Sequence, residues 1–441
     1  MKEKDIYKKI QKTLDIWIPQ KMKYAQTPGI SIGISHKGKT FYEKSFGYSN
    51  ILTKKKLQKD DLFRVASMSK MFTSISIMQL VHQEKLNLES PVSNILPEFD
   101  TKEIKEVTVR NLLSHQGGVF RDSNKNYWSK NSFPKKVLAD VGIKTKTTNP
   151  LTNFKYSNFG FSILGKIIEK VSGQKYEDYV EENIIKKLNL KNTYPDFSSE
   201  IESKLAYGHS RFVPTEKRKV FKHSQTHEYM PATGFVSNTD DLLIFLHDIS
   251  SDKSKIIPKY LFKEMTHPYS DVGGGDDKYG LGFEIIKIKG KKVIGHGGGY
   301  SGFITMALTI PEEELSVVVL TNTLEGPAFG VAASILNMFD TFKQNKKKQK
   351  DLSIYEGVYK NDWGEVCVID AGDSLVTFGP DQRIILGDKH TTLEPTKDRH
   401  LFKIKTPFLF GSPDEEVEFK KIKNKKSTVL SFAGHEHKRI K

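Results

Sequence analysis

"RVASMSKMFTS", Arg64–Ser74, sets two serines, Ser67 and Ser69, and one lysine at the head of a long apolar run, "ISIMQLVHQEKLNL". A lysine three residues after a serine returns to the same helical face one turn later, so Lys70 stands beside Ser67. Its amine can then take the hydroxyl proton. An apolar surrounding strips an ammonium of solvation and lowers its pKa toward the range where lysine acts as a base. The helix start adds free backbone N–H groups that can face a developing oxyanion. The competing reading is structural: a serine caps the helix and Lys70 extends its ammonium to water. Ser-x-x-Lys recurs at Ser132–Lys135, Ser172–Lys175 and Ser250–Lys253, but Pro134, Gly173 and a polar loop set those apart.

Working outward, Met71, Ile75, Met78 and Val81 or His82 keep a helical period. "VTVRNLLSHQGGV" reads as a short helix, and "FGFSILGKIIEKVSGQKYEDYVEENI" as two helices split at Ser172–Gly173. "GISIGISHKGKTFYEKSFGY" is a hairpin about His36-Lys37-Gly38. "KKVIGHGGGYSGFITMALTIPEEELSVVVLTNT" gives three successive antiparallel strands. Strands at both ends with helices between them predict an α+β domain over residues 1–342 whose terminal strands share one sheet. "KQNKKKQK", 343–350, reads as a charged linker. Residues 351–441 carry short alternating strands, "GVYKND", "GEVCVID", "SLVTFG", "RIILG", "HLFKIK", "EVEFKKI" and "STVLSFAG", which predict a small all-β barrel or sandwich.

Composition removes several functions. The 441 residues are 37% hydrophobic, and no run approaches the roughly 20 apolar residues of a membrane span. The net charge of +16 comes from lysines scattered over every segment, with arginine at only eight positions. Base readout and bidentate phosphate clamps lean on arginine, so nucleic acid is not the expected partner. Ile6, Ile10, Leu14, Trp17 and Ile18 recur at helical spacing, an amphipathic surface helix rather than a signal peptide. The single cysteine, Cys367, excludes an intrachain disulfide framework. Both features point to the cytoplasm; a periplasmic or extracellular site follows if an export segment precedes Met1.

Two further stretches carry chemistry. In "FKYSNFG", Tyr156 lies on a loop before a helix, where a neighbouring ammonium would lower its phenol toward use as a base or relay. The alternative packs the ring under the loop, with Asn158 capping the helix. In "GHGGGYSGF", the glycines after His296 suit a strand edge against which a substrate's backbone lies close. His296 can donate to a substrate group, and a neighbouring N–H can complete an oxyanion hole. His-x-Gly also occurs at His36 and His115, read here as carrying no chemistry.

Taken in order, Ser67-x-x-Lys70, Tyr156-x-Asn158 and His296-x-Gly298 resemble the penicillin-recognising serine hydrolases. The nearer branch holds class C β-lactamases, D-alanyl-D-alanine carboxypeptidases, D-aminopeptidases and related esterases. The resemblance spans about residues 25–340, including "VTVRNLLSHQGGV" and "YGLGFEIIK". It implies an antiparallel sheet flanked by helices plus an all-helical lobe, with the cleft between them. It also implies roles: Ser67 as the acylated nucleophile, Lys70 and Tyr156 sharing its proton, and Asn158 bonding the substrate amide or the lysine. Gly297, Gly298 and Gly299 would line the substrate, with the Ser67 and Gly299 N–H groups as the oxyanion hole. Class C β-lactamases carry Lys-Thr-Gly where this chain has His296-Gly297-Gly298, and a neutral histidine clamps a β-lactam carboxylate poorly. The trailing barrel resembles the lipocalin-like domain of D-aminopeptidase-like members and leaves a homo-oligomer open.

The expected activity is therefore metal-independent hydrolysis without a cofactor, through an acyl-enzyme, on a small peptide, amide or ester. A peptidase tolerant of D-residues is favoured. An esterase, a weak β-lactamase and a non-catalytic ligand-binding protein are the alternatives.

Overall fold

The computed structural model describes residues 2–101, 104–122, 127–136, 138, 148–344, 351–387, 390–407, 411–432 and 434–441. The chain forms two compact units, Thr27–Phe329, and Met1–Gln26 together with Gly330–Lys441.

The Thr27–Phe329 unit is built on the expected hairpin. Lys37 and Gly38 both take positive φ, 53° and 70°, the turn whose twist matches paired strands. They join β1 (Gly29–His36) to β2 (Lys39–Asn50), followed by β3 (Lys55–Lys56). β4 (Phe63–Arg64) pairs with β5 (Val236–Ser237) in a small separate sheet. The remaining strands are β6 (Ser270–Asp271), β7 (Lys278–Tyr279), β8 (Glu284–Ile288), β9 (Lys291–Tyr300), β10 (Phe303–Ile310) and β11 (Leu315–Thr321). The main sheet runs β3-β2-β1-β11-β10-β9-β8-β7-β6. β1 pairs antiparallel with β11 from Ile30↔Thr321 to His36↔Leu315, so the terminal strands do share one sheet.

The helix Ser69–His82 is buried from Ser69 through Leu80, which its nearly unbroken apolar sequence requires. Phe72 is stacked between Phe235 and Phe245, with ring centroids 4.4 and 4.2 Å away. One apolar cluster joins this helix to Ile163, Leu164, Ile167 and Ile168 of the helix Asn158–Ser172. That helix ends at Gly173 with φ 75°, so the expected split at Ser172–Gly173 stands.

The second unit holds a closed eight-stranded antiparallel barrel of β12 (Gly357–Asn361), β13 (Gly364–Asp370), β14 (Leu375–Phe378), β15 (Thr391–Pro395), β16 (Leu401–Thr406), β17 (Glu416–Lys423), β18 (Lys426–Phe432) and β19 (His435–Arg439). Its interior is filled by Tyr355, Tyr359, Phe402, Phe419 and aliphatic neighbours. Two expectations are corrected here. "RIILG", 383–387, is no strand: the Ile385 N–H donates to Ser334 of the helix Ala328–Gln344 at 2.9 Å instead of joining a ladder. And the compact units do not divide at 342 and 351. The helix Glu3–Tyr24 belongs with the barrel, its Trp17 edge-on to Phe378 at 6.3 Å and its Lys21 Nζ donating to the Asp381 and Gln382 carbonyls at 2.9 and 2.6 Å. Lys343 and Gln344 end a helix, and the other linker residues, 345–350, lie outside the described residues. Among the described residues no helix is long and apolar enough to cross a membrane.

Candidate active site

From Asp61 to Leu80 every residue is buried except Ser67. It sits in the single turn Ala66–Met68 that leads into the helix, and Ala66 is held at φ 54°. A non-glycine residue in the left-handed region costs energy that surrounding contacts must hold in place. Those contacts are visible. The Val65 N–H donates to Phe235 O at 3.0 Å, and the buried Arg64 guanidinium bonds Asp196, the Gly234 carbonyl and Tyr300. Ser69 points inward: its Oγ donates to Ala66 O and accepts the Phe235 N–H at 3.0 Å. Ser69 holds the turn; Ser67 faces outward.

Lys70 is fully buried, and its Nζ lies 3.2 Å from Ser67 Oγ, 2.7 Å from Asn158 Oδ1 and 2.8 Å from Ala232 O. Burial drives its pKa well down, opposed by the Asp122 carboxylate and aided by the Arg121 charge. The expectation that Lys70 extends to water is thereby removed. Asn158 spans two charges, its Nδ2 donating to Asp122 Oδ1 at 2.9 Å. Ser157, not Asn158, caps the following helix, accepting the Gly160 N–H at 2.8 Å.

Tyr156 arrives from the loop before that helix. Its hydroxyl hydrogen-bonds Ser67, and Lys70 Nζ sits 4.7 Å above its ring. The expected fall in its pKa does not occur. Burial raises it, and the Ser67 hydrogen bond only partly opposes this. Tyr156 therefore rests as a phenol, over a lysine pushed toward the neutral amine.

His296 is near the cluster but is not a free donor to substrate. Its ring is 1% exposed and both nitrogens are engaged: Nε2 with Tyr279 Oη at 2.9 Å, Nδ1 with Gly297 O at 2.5 Å. Burial, then the Lys70 charge, hold its pKa down at about 3, so it is neutral. The network assigns the proton to Nδ1, with Tyr279 donating to Nε2. Its ring lies 6.3 Å from that of Tyr156, behind it. The glycines also divide. A Cβ on Gly298 would stand 2.2 Å from Val65 O, so this glycine lets β9 approach the nucleophile turn. Only Gly299 faces open space, where a Cβ would meet Ile304 alone at 3.7 Å.

Four residues of the cluster escaped the sequence reading as site residues. His115 lies against the Tyr156 ring at 4.3 Å and accepts the Ser157 N–H at 3.1 Å, so it does belong to the site. Tyr279, Asp122 and Glu284 complete the group. His115 stood inside "VTVRNLLSHQGGV", and Tyr279 and Glu284 inside "YGLGFEIIK", stretches already singled out. Nothing in spacing marked Asp122 or Glu284.

A family model for Beta-lactamase matches residues 14–338. The chain belongs to the β-lactamase family. It is 25% identical over 378 residues to Protein flp of Staphylococcus aureus (strain MW2), covering 83% of this chain and 73% of that protein. Among solved structures it resembles the octameric penicillin-binding protein homologue from Pyrococcus abyssi, with TM-score 0.66 and 26% identity over 95% of this chain and 98% of the other. A D-stereospecific amidohydrolase from Streptomyces sp. shares the fold at TM-score 0.61 and 22% identity, covering 74% of this chain and 95% of that one. The catalytic scaffold of this β-lactamase-family chain is thus a serine-hydrolase fold of the penicillin-binding type, followed by a barrel.

Proposed function

We propose that this chain hydrolyses small peptides or amides through an acyl-enzyme on Ser67, as a peptidase tolerant of D-residues. One observation carries the reading: the only residue of a buried run to keep part of its surface open is a serine whose Oγ lies 3.2 Å from a buried lysine amine. Lys70 is pushed down toward its neutral amine and Tyr156 up toward its phenol, which supports the amine as the base. Ser67 Oγ attacks the carbonyl carbon while its proton passes to Lys70 Nζ. The C–N bond then breaks, and the departing nitrogen takes a proton through the Tyr156 hydroxyl. Water repeats the sequence on the acyl-serine, releasing the acid and restoring the hydroxyl. Asn158 and Asp122 hold the amine in place, and His296 and Tyr279 brace β9. The Ser67 and Gly299 N–H groups would receive the oxyanion, each donor typically worth about 3 kcal/mol of barrier. The fold of the D-stereospecific amidohydrolase supports the preference for D-residues over a plain esterase.

Intact-mass analysis after treatment with a fluorophosphonate tests the nucleophile. One adduct is expected on the native chain and on Ser132→Ala, and none on Ser67→Ala. A native chain without an adduct would favour the non-catalytic ligand-binding alternative. D-alanyl and L-alanyl p-nitroanilides against p-nitrophenyl acetate, compared by kcat/KM, then separate peptidase from esterase.

A further inference from the structure

Glu284 opens β8 opposite Gly295, and its carboxylate reaches along β9 to accept the Gly297 N–H at 3.2 Å. Amides two residues apart on a strand point the same way. The Gly299 N–H therefore faces the side that Gly297 faces, beyond the end of β8, where no strand pairs with it. The carboxylate thus stands about two residues, roughly 7 Å, along the strand from the oxyanion donor. A third of its side-chain surface is open.

No lysine or arginine pairs directly with this carboxylate among the described residues, although the Lys70 charge reaches it from beyond ion-pair distance and pulls its pKa down. His296 Nδ1 is 3.5 Å away but neutral, with its proton directed at Gly297 O. Lys70 is committed to Ser67, Asn158 and Ala232. Asp277 adds a like charge, and the Tyr156 and Tyr279 hydroxyls are uncharged. Among the described residues no lysine or arginine lies within ion-pair distance of Glu284. Where the Lys-Thr-Gly of class C β-lactamases would set a positive charge, this strand carries a neutral ring beside an acid.

We infer that Glu284 selects substrates, receiving a cationic nitrogen that lies within a residue or two of the scissile carbonyl. The inference rests on the serine-hydrolase reading above. The cation can belong to the acyl half, as the free α-amino group of an aminoacyl compound, or to the leaving half, as in a choline-type group. Burial, with Asp277 adding to it, raises the Glu284 pKa to about 7, so in the free site a proton competes with the substrate cation. Cation recognition weakens as pH falls below that value.

Two pairs of thioesters read the preference by thiol release. D-alanine thiobenzyl ester against its N-acetyl form varies charge in the acyl half. Acetylthiocholine against S-(3,3-dimethylbutyl) thioacetate varies it in the leaving half. The native chain is expected to favour the cationic member of one pair by about 10- to 100-fold in kcat/KM, the size of a charge-assisted contact. Glu284→Gln, which can still accept the Gly297 N–H, should bring that ratio near one. For the acetylthiocholine pair, whose cation does not titrate, the ratio on the native chain should shrink from pH 8 to pH 6, a readout that needs no variant. Equal or better turnover of the neutral member in both pairs overturns the inference, as does a preference that survives Glu284→Gln. Fluorophosphonate labelling of Ser67 separates the two failures. Labelling without charge preference sinks the role of Glu284 alone, whereas no labelling and no turnover sinks the hydrolase reading and this inference with it.

Discussion

Among the described residues each compact unit buries one lysine, and the two differ in what their ammonium meets. Lys21 donates to two backbone carbonyls, Asp381 O and Gln382 O, and burial lowers its pKa to about 8. Lys70 is lowered well below its ordinary value by the same cause, but one of its three partners is the hydroxyl of Ser67. A carbonyl accepts a hydrogen bond and has no proton to give. A hydroxyl at the surface of the fold has one. Desolvation thus prepares both amines, and only the partner turns one into a base.

The sharpest way to break this comparison is to remove each amine in turn. Lys70→Met keeps the volume of the buried stem and should lower kcat/KM by about 10³-fold, within the range for a positioned acid–base group. Lys21→Met should change kcat/KM by less than roughly threefold, the residue lying in the unit that holds no part of the cluster. Steady-state rates on one p-nitrophenyl ester decide it. Comparable losses in both would mean that lysine burial acts through stability alone.

Buried tyrosines form a second pair. Tyr156 bonds the half-buried hydroxyl of Ser67, while Tyr176 bonds the enclosed Thr73 at 2.7 Å. Burial raises both phenols. Tyr156→Phe should cost about 10²-fold on an anilide. It should cost less on a p-nitrophenyl ester, whose leaving group departs without a proton. Tyr176→Phe should leave the anilide-to-ester ratio as it is. An equal loss on both substrates in Tyr156→Phe would remove the phenol from leaving-group protonation.

The same contrast explains what could be read from the sequence. Ser67 and Lys70 lie one helical turn apart, so a periodicity suffices to join them. Tyr156 and Asn158 needed family resemblance, because the helix that brings them to Lys70 is 88 residues away along the chain. The direction of His296 needed the structure: Val293, Ile294, Gly295 and His296 are all buried in β9, so strand alternation alone does not say which way the ring turns. Asp122 left no trace, and Glu284 stood inside "YGLGFEIIK" with nothing to assign it a role, since a carboxylate acting through space needs no fixed spacing. In the barrel, "HEHKR" is polar throughout, and it is a strand because β12 and β18 both need a partner to close the ring. "RIILG" failed in the opposite sense, its Ile385 and Leu386 being buried without joining a ladder.

The smallest expected effect concerns stability. The folded chain releases the Lys21 proton near pH 8, whereas an unfolded lysine keeps it to about pH 10.4. Between those values the unfolded state binds more protons, so stability rises with pH across that window. Below pH 8 both states are protonated and Lys21 contributes no slope. Burial dominates the shift and the Asp381 charge opposes it, so the slope is that of at most one proton. Lys21→Met lacks this titration, and subtracting its melting temperature from that of the native chain cancels every other group. The difference should be flat from pH 6 to pH 8 and climb from pH 8 to pH 10. A difference that falls over the upper range would mean that the two carbonyls hold Lys21 as an ammonium more firmly than burial disfavours it, and would erase the likeness to Lys70 on which the comparison starts.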